Sequence, residues 1–203
     1  MIKSYIKTAF RNIKKNRGTS FLNISGLALG ITCFIIIGLY VYSELSFDKY
    51  HSKADRIYRV ALSLKLNDIT YNEAALQFPA ANAFKENYPE VENTVRIYKQ
   101  FDRTLVKYGD KKFSEEKFFF ADQTIFNVFD FEIINGNSNN ALTKPNSVAI
   151  SESMALKYFG TENPIGKTIN YQNQTDFTVS AVYEDMPPYS HAHFDFLVSM
   201  DFI

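Results

Sequence analysis

Few residues in this 203-residue chain have the types and spacing that chemistry requires. His191 and His193 form an H-x-H beside Asp195. On a strand, side chains at i and i+2 share a face, so two imidazoles there could begin a divalent-metal site. Such a site needs further ligands, yet His51 lies far away in sequence and the only cysteine is Cys33. The H-x-H therefore reads as a structural or loop feature. Glu184 and Asp185 stand beside Pro187-Pro188, where adjacent carboxylates at a turn are ordinarily solvated rather than matched as acid and base. No G-x-S-x-G, H-E-x-x-H or P-loop occurs, and no serine sits at a recognised spacing from a base. These residues make no active site, and no metal or cofactor is expected.

With chemistry so sparse, the apolar extreme of the sequence carries most of its meaning. Residues 19–43 read TSFLNISGLALGITCFIIIGLYVYS, and no acidic or basic side chain stands between Arg17 and Glu44. At about 1.5 Å per helical residue the stretch exceeds a hydrocarbon core of roughly 30 Å. It is longer than a signal-peptide core and ends in LYVYSELSF without a small-residue cleavage site. The pattern predicts a transmembrane helix over 18–45. Within it Gly26 and Gly30 form a G-x-x-x-G, a spacing that lets a second helix approach closely. Tyr40, Tyr42 and Phe47 suit a membrane interface, and Cys33 lies inside the span, so the rest of the chain has no disulfide.

Net charge is zero, which gives no sign of nucleic-acid binding, but its distribution is uneven. Lys3, Lys7, Arg11, Lys14, Lys15 and Arg17 precede the span with no acid among them. The positive-inside rule then puts the N-terminus in the cytoplasm and residues 46–203 outside it. Ile2, Tyr5, Ile6, Ala9, Phe10 and Ile13 recur at helical spacing against that basic arc. Residues 1–17 are accordingly expected as an amphipathic helix in the inner interface, its basic groups near anionic headgroups. Gly18 is expected to end that helix, with Thr19 or Ser20 capping the next.

The remaining 46–203 region is long enough for one ordinary domain or two small ones, and nineteen Phe and thirteen Tyr can build its core. Its patterning is α+β. Strands are expected over 57–66, 70–76, 94–99, 104–108, 111–113, 117–120, 131–134, 147–150 and 167–171, with Gly109-Asp110 as a hairpin turn. Helices are expected from Pro79 to Tyr88, from an Asp122 cap to Phe129, and over 152–159 between a Ser151 cap and Gly160. Phe177, Val179, Ala181 and Tyr183 are expected on one strand face, and Phe194, Phe196 and Val198 on another.

Five segments occur in order: NISGLALG, ELSFDKYHSKADRIYRV, VFDFEIINGN, SVAISESMALKYFGTENPIGKTI and FTVSAVYEDMPPYSHAHFDFLVSM. Together they resemble the N-terminal half of a MacB-like, FtsX-family ABC transporter permease, across essentially the whole chain. The resemblance implies an interfacial helix, a first membrane helix and a two-lobed extracytoplasmic core domain over 46–203, with a second lobe inserted at about 91–144. It implies a non-catalytic subunit working with a cytoplasmic ABC ATPase and a second permease copy. ATP hydrolysis in the partner would move the outer domain and so export or extract a substrate. Full permeases continue into three more membrane helices. These are absent here, so the chain reads as an N-terminal portion. From another class, a single-pass anchored binding or sensor domain has the same topology; an enzyme is the remotest reading.

Overall fold

The computed structural model describes the backbone over residues 2–203 and side chains from residue 4 onward, so the basic group of Lys3 lies outside the described residues. The chain divides into two units, one ending at Phe47 and the other comprising Asp48–Ile203.

The first unit is two helices, α1 (Ile2–Lys15) and α2 (Arg17–Ser46). They meet at Asn16, whose ψ of 54° leaves helical geometry. Even so, the Asn16 N–H donates to the Asn12 carbonyl and the Ser20 N–H to the Asn16 carbonyl, both at 3.0 Å. The joint therefore precedes Gly18, which lies within α2 together with Thr19 and Ser20. Gly18 was expected to stop the helix; a lone glycine costs about 1 kcal/mol relative to alanine, too little to interrupt a continuous ladder. The apolar window of α2 has mean hydropathy 2.3 and is entirely unburied by this chain. It is the one helix among the described residues long and apolar enough to cross a membrane.

The second unit is a mixed α+β domain. A hairpin of β1 (Leu62–Leu66) and β2 (Ile69–Glu73) stands apart from the main sheet. Asn67 and Asp68, at φ 48° and 64°, make its two-residue turn. Strand structure was expected from Ile57, but β2 pairs only as far as Glu73 opposite Leu62, so residues 57–61 lie outside the ladder. Next come α3 (Pro79–Asn87), β3 (Ile97–Lys99), β4 (Thr104–Tyr108), β5 (Lys111–Glu115) and β6 (Phe118–Ala121). They are followed by α4 (Ile125–Val128), β7 (Ile133–Gly136), β8 (Ser147–Ser151), α5 (Glu152–Phe159), β9 (Thr168–Tyr171), β10 (Thr175–Tyr183) and β11 (Phe196–Ser199). The main sheet runs β3-β6-β11-β8-β10-β9-β4-β5, with β7 also on β10.

The sheet is covered on both faces, which is why β8 and β11 are buried along their whole length. On one face Phe118, Phe120, Val148, Ile150, Phe177 and Phe196 pack with Tyr158 and Phe159 of α5. Phe118 is central: its ring lies 5.4 Å from Phe196 and 5.1 Å from Tyr171, and such pairs add about 1 kcal/mol each beyond burial. The other face carries alanines 121, 149 and 181 on the sheet, under Ile125 of α4 and Leu142. Small side chains there let the 121–142 segment lie close to the strands. Asp122 was expected to cap α4; instead its carboxylate takes the Arg96 guanidinium, with Nη2–Oδ1 at 2.6 Å and Nε–Oδ2 at 2.9 Å. α5 has the expected Ser151 cap, and Gly160 ends it at φ 64°.

Strand β10 departs from simple alternation. It pairs in parallel with β8, and the register slips between Val179 and Ala181, leaving Ser180 as a bulge. One extra residue turns the strand over. Phe177 and Val179 therefore face the α5 side, whereas Ala181 and Tyr183 face the α4 side, so the four do not share a face as expected. The same holds for Phe194, which lies before β11 and packs on the side opposite Phe196 and Val198. The Ser180 hydroxyl satisfies the disturbed backbone by donating to the Val148 carbonyl at 3.0 Å and to the Ala141 carbonyl.

The inserted lobe expected at about 91–144 does not form a sheet of its own. β6 from that stretch pairs with β11, β4 with β9, and β7 with β10. Long-range pairing satisfies edge groups that a small separate sheet would expose.

Gly136 pairs with Ala181 at the bulge. Its φ is 91°, and a Cβ there would lie 2.5 Å from the Ser180 carbonyl oxygen. We expect Gly136→Ala to destabilise the domain by about 2 to 4 kcal/mol, combining backbone strain with displaced main chain. At Gly109, φ is 54° and a Cβ meets nothing within 4 Å, so Gly109→Ala should cost about 1 kcal/mol. Urea unfolding of the two variants checks the difference; equal losses would refute the steric argument.

Candidate functional site

The densest polar constellation of the Asp48–Ile203 unit lies at its very start. Residues 48–53 are polar in sequence and cannot form a core element, so they make a tight turn that begins with Asp48 in the left-handed region, φ 57°. Aspartate tolerates that conformation better than most residues because its short carboxylate bonds locally. The carboxylate here reaches across to residues 190–191. Oδ1 accepts the His191 backbone N–H at 2.9 Å, and Oδ2 meets the His191 ring Nδ1 at 2.7 Å. Ser190 Oγ lies 3.3 Å from Oδ1. The Asp48 N–H in turn donates to the Tyr189 carbonyl at 3.0 Å.

The next residues extend the clamp. Tyr50 Oη lies 3.1 Å from Ser190 Oγ and 3.2 Å from Met186 Sδ. His51 is buried between rings, with centroids 3.9 Å from Tyr50 and 5.2 Å from Phe129. Its Nδ1 accepts the Asp130 backbone N–H at 3.1 Å, which fixes that nitrogen as unprotonated. Asp130 reciprocates by accepting the Ser52 N–H and, at 3.1 Å, the Ser52 hydroxyl. Lys53 Nζ donates to the Asn127 carbonyl of α4 at 2.7 Å. The first residues of the domain are thus tied to two loops, one after β10 and one after α4.

Electrostatics follow from this geometry. Burial pushes the Asp48 carboxyl up, but the bonds from the His191 amide, the His191 ring and Ser190 outweigh it and hold it below the usual carboxylate value. The Ser52 amide does most to hold Asp130 low. His51 moves below its ordinary 6.5 because burial disfavours the imidazolium more than Asp130 and Asp48 favour it. The site can hold two loops and a turn in one arrangement.

Other sequence-derived candidates are dispersed. His191 and His193 lie in a loop, not on a strand, and the first serves Asp48. Among the described residues no cluster of three His, Cys, Asp or Glu side chains could hold a metal. Asp185 accepts from the Ser153 amide at 3.3 Å and from its hydroxyl, at the start of α5. The Glu184 carboxyl is held above its ordinary value, chiefly by a hydrogen bond with Glu132. Gly26 and Gly30 face open space: a Cβ added at either would meet nothing within 4 Å. Lys7, Arg11, Lys14 and Arg17 gather at the α1–α2 joint. Tyr50, His51, Ser52 and Asp130 carry no chemical motif in the sequence; they lie in the segments ELSFDKYHSKADRIYRV and VFDFEIINGN, both part of the family resemblance.

Residues 20–202 match the family described as the MacB-like periplasmic core domain. The chain belongs to that family. A domain of a putative permease protein from Porphyromonas gingivalis has the same fold, with TM-score 0.59 and 22% identity over 70% of this chain and 61% of that one. The periplasmic region of MacB from Actinobacillus actinomycetemcomitans matches with TM-score 0.52 and 18% identity, covering 63% of this chain and 56% of the other. The chain thus spans under two thirds of either of those domains. No curated protein matches it at a significant level. In this MacB-like core domain the clamp joins the second and fifth sequence segments on which the resemblance rested.

The clamp should weaken in acid in two stages. His51 has a lowered folded value, so its contribution is complete above about pH 6.5 and is lost as pH falls below that value. Asp48 and Asp130 are also lowered, so theirs persists to the neighbourhood of the ordinary carboxylate value of 3.8 and is lost beneath it. Urea midpoints at about pH 7.5 and 5.5 test the first stage: His51→Phe should reduce the acid loss relative to wild type. Asp48→Asn near neutral pH should cost about 1 kcal/mol, and an unchanged midpoint would show the clamp to be incidental.

Proposed function

We propose that this chain acts in a permease subunit of an ABC transporter. In this reading α2 spans the cell membrane, α1 lies at the cytoplasmic interface, and the core domain is extracytoplasmic. A partner ATPase on the cytoplasmic side hydrolyses ATP, and the resulting helix movement displaces the core domain during export or extraction of a substrate. A second permease copy completes the assembly.

The observation that carries the mechanical part is the clamp. Residue 48 follows the last residues of α2 directly in the chain, and it is bonded into the core rather than left as a flexible linker. A glycine- or serine-rich connection would absorb a displacement of a few ångströms. The turn at 48–53 resists it, because moving Asp48 strains bonds to the 186–191 loop and to α4. Family membership and the exposed apolar length of α2 support the membrane part. The basic residues before α2 support the orientation.

Orientation is tested with reporters fused after Phe202: alkaline phosphatase should be active there, and a fusion active only in the cytoplasm would refute the topology. Assembly is tested at Gly30. Because a Cβ at that position meets nothing within the chain, Gly30→Leu should leave membrane insertion and domain stability unchanged while reducing co-purification with partner helices severalfold. Undiminished co-purification would remove the glycine pair from the packing face.

A further inference from the structure

Tyr50 has one hydroxyl proton and two acceptors. Its Oη lies 3.1 Å from Ser190 Oγ and 3.2 Å from Met186 Sδ. Burial pushes the phenol above its ordinary 10.0, so it keeps that proton at neutral pH. A thioether sulfur is a weak acceptor, and the proton therefore favours Ser190. Ser190 is the hub of this side of the clamp. Its own single proton serves the Ala192 carbonyl at 2.9 Å or Asp48 Oδ1 at 3.3 Å.

The sulfur at this hub differs from the others. Of the three described methionines, Met154 and Met200 lie in the apolar layer under α5, and Met200 is buried. Met186 stands in the loop after β10, half-buried, at the margin of the opposite layer. Among the described methionines it alone has a hydroxyl donor on its sulfur. Oxidation converts a methionine thioether to a sulfoxide, a polar group whose oxygen accepts strongly, and reductases reverse the change. At most positions that change only disturbs packing. Here it alters a competition for one proton.

We propose that Met186 is a reversible oxidation site that loosens the clamp. A peroxide supplies the oxygen. The Sδ lone pair attacks one peroxide oxygen, the S–O bond forms as the O–O bond breaks, sulfur gives up two electrons, and hydrogen peroxide leaves as water. The new oxygen stands a bond length beyond the sulfur, within reach of the Tyr50 hydroxyl. The Tyr50 proton turns to it and leaves Ser190. Ser190 can follow only by turning its own proton away from Ala192 and Asp48, so either way one bond at the hub is lost. The consequence, a looser connection after α2, rests on the permease reading; the chemistry at Tyr50 does not.

The test treats the full chain in detergent with hydrogen peroxide and maps oxygen uptake by peptide mass spectrometry. Trypsin cleavage after Lys49, an exposed residue of the 48–53 turn, reads how tightly the clamp holds. Oxidised wild type should be cut there about fivefold faster, as expected for one lost hydrogen bond. Methionine sulfoxide reductase should restore the slow rate. Tyr50→Phe should be cut at the faster rate before and after oxidation, because the redirected proton is missing. Met186→Leu should stay slow under peroxide, and Met154→Leu should respond as wild type does. No oxygen uptake at Met186, equal acceleration in Met186→Leu, or further acceleration of oxidised Tyr50→Phe would each overturn the switch. A reporter after Phe202 that is active only in the cytoplasm refutes the permease topology and leaves these rates untouched, so the two failures are told apart.

Discussion

The core domain depends on one irregularity, the extra residue at Ser180 in β10. Because that residue bulges, a single strand presents Phe177 and Val179 to one hydrophobic layer and Ala181 and Tyr183 to the other. The first part of β10 pairs with β9 and the last part with β7, while β8 pairs along the other edge from Thr178 to Tyr183. Without the bulge, Tyr183 would turn toward the α5 layer and its hydroxyl would lose the Phe194 carbonyl that it bonds at 3.2 Å. The bulge also dictates composition around it. Gly136 must be a glycine because the Ser180 carbonyl occupies the space of its side chain, and the single Ser180 O–H is shared between the Val148 and Ala141 carbonyls.

From the bulge the consequences run toward the clamp. β10 delivers the chain into the 184–193 loop, which contains Met186, Ser190 and His191, the groups that receive Tyr50 and Asp48. β7, paired with that same end of β10, begins three residues after Asp130, the partner of His51 and Ser52. Two loops positioned by one strand therefore converge on the first six residues of the domain. Individually these are exposed or half-buried polar contacts, each worth about 1 kcal/mol. Together they set where residue 48 sits far more than they set how stable the domain is. The large stabilising terms lie in the aromatic layer around Phe118, and the small ones are spent on direction.

The sequence was most legible where a pattern has one physical meaning. The apolar length of α2, the Ser151 cap and Gly160 stop of α5, and the turns at Asn67-Asp68 and Gly109-Asp110 each follow from local rules, and each is present. It was least legible where a contact between distant residues decides the outcome. Alternation over 177–183 predicts one face, and only pairing with β8 reveals that a residue is looped out. Asp122 reads as a helix cap because caps are local; Arg96, 26 residues earlier, offers a charged bidentate alternative that wins. The clamp joins residues more than 140 positions apart, so neither FDKYHS nor YSHAH suggests it alone. The resemblance, which put both segments in one pattern, was the only sequence signal for their meeting.

The placement of the histidines sharpens this point. Two of the chain's three histidines serve the opening turn: His51, within it, accepts the Asp130 backbone amide, and His191 meets the Asp48 carboxylate. An imidazole used in this way is constrained at Nδ1, so it is committed to holding a loop before any metal could compete for that nitrogen. Residue type alone names what a side chain can do; the partner that reaches it first decides what it does. For His191 that partner is the Asp48 carboxylate, and for His51 it is the Asp130 amide.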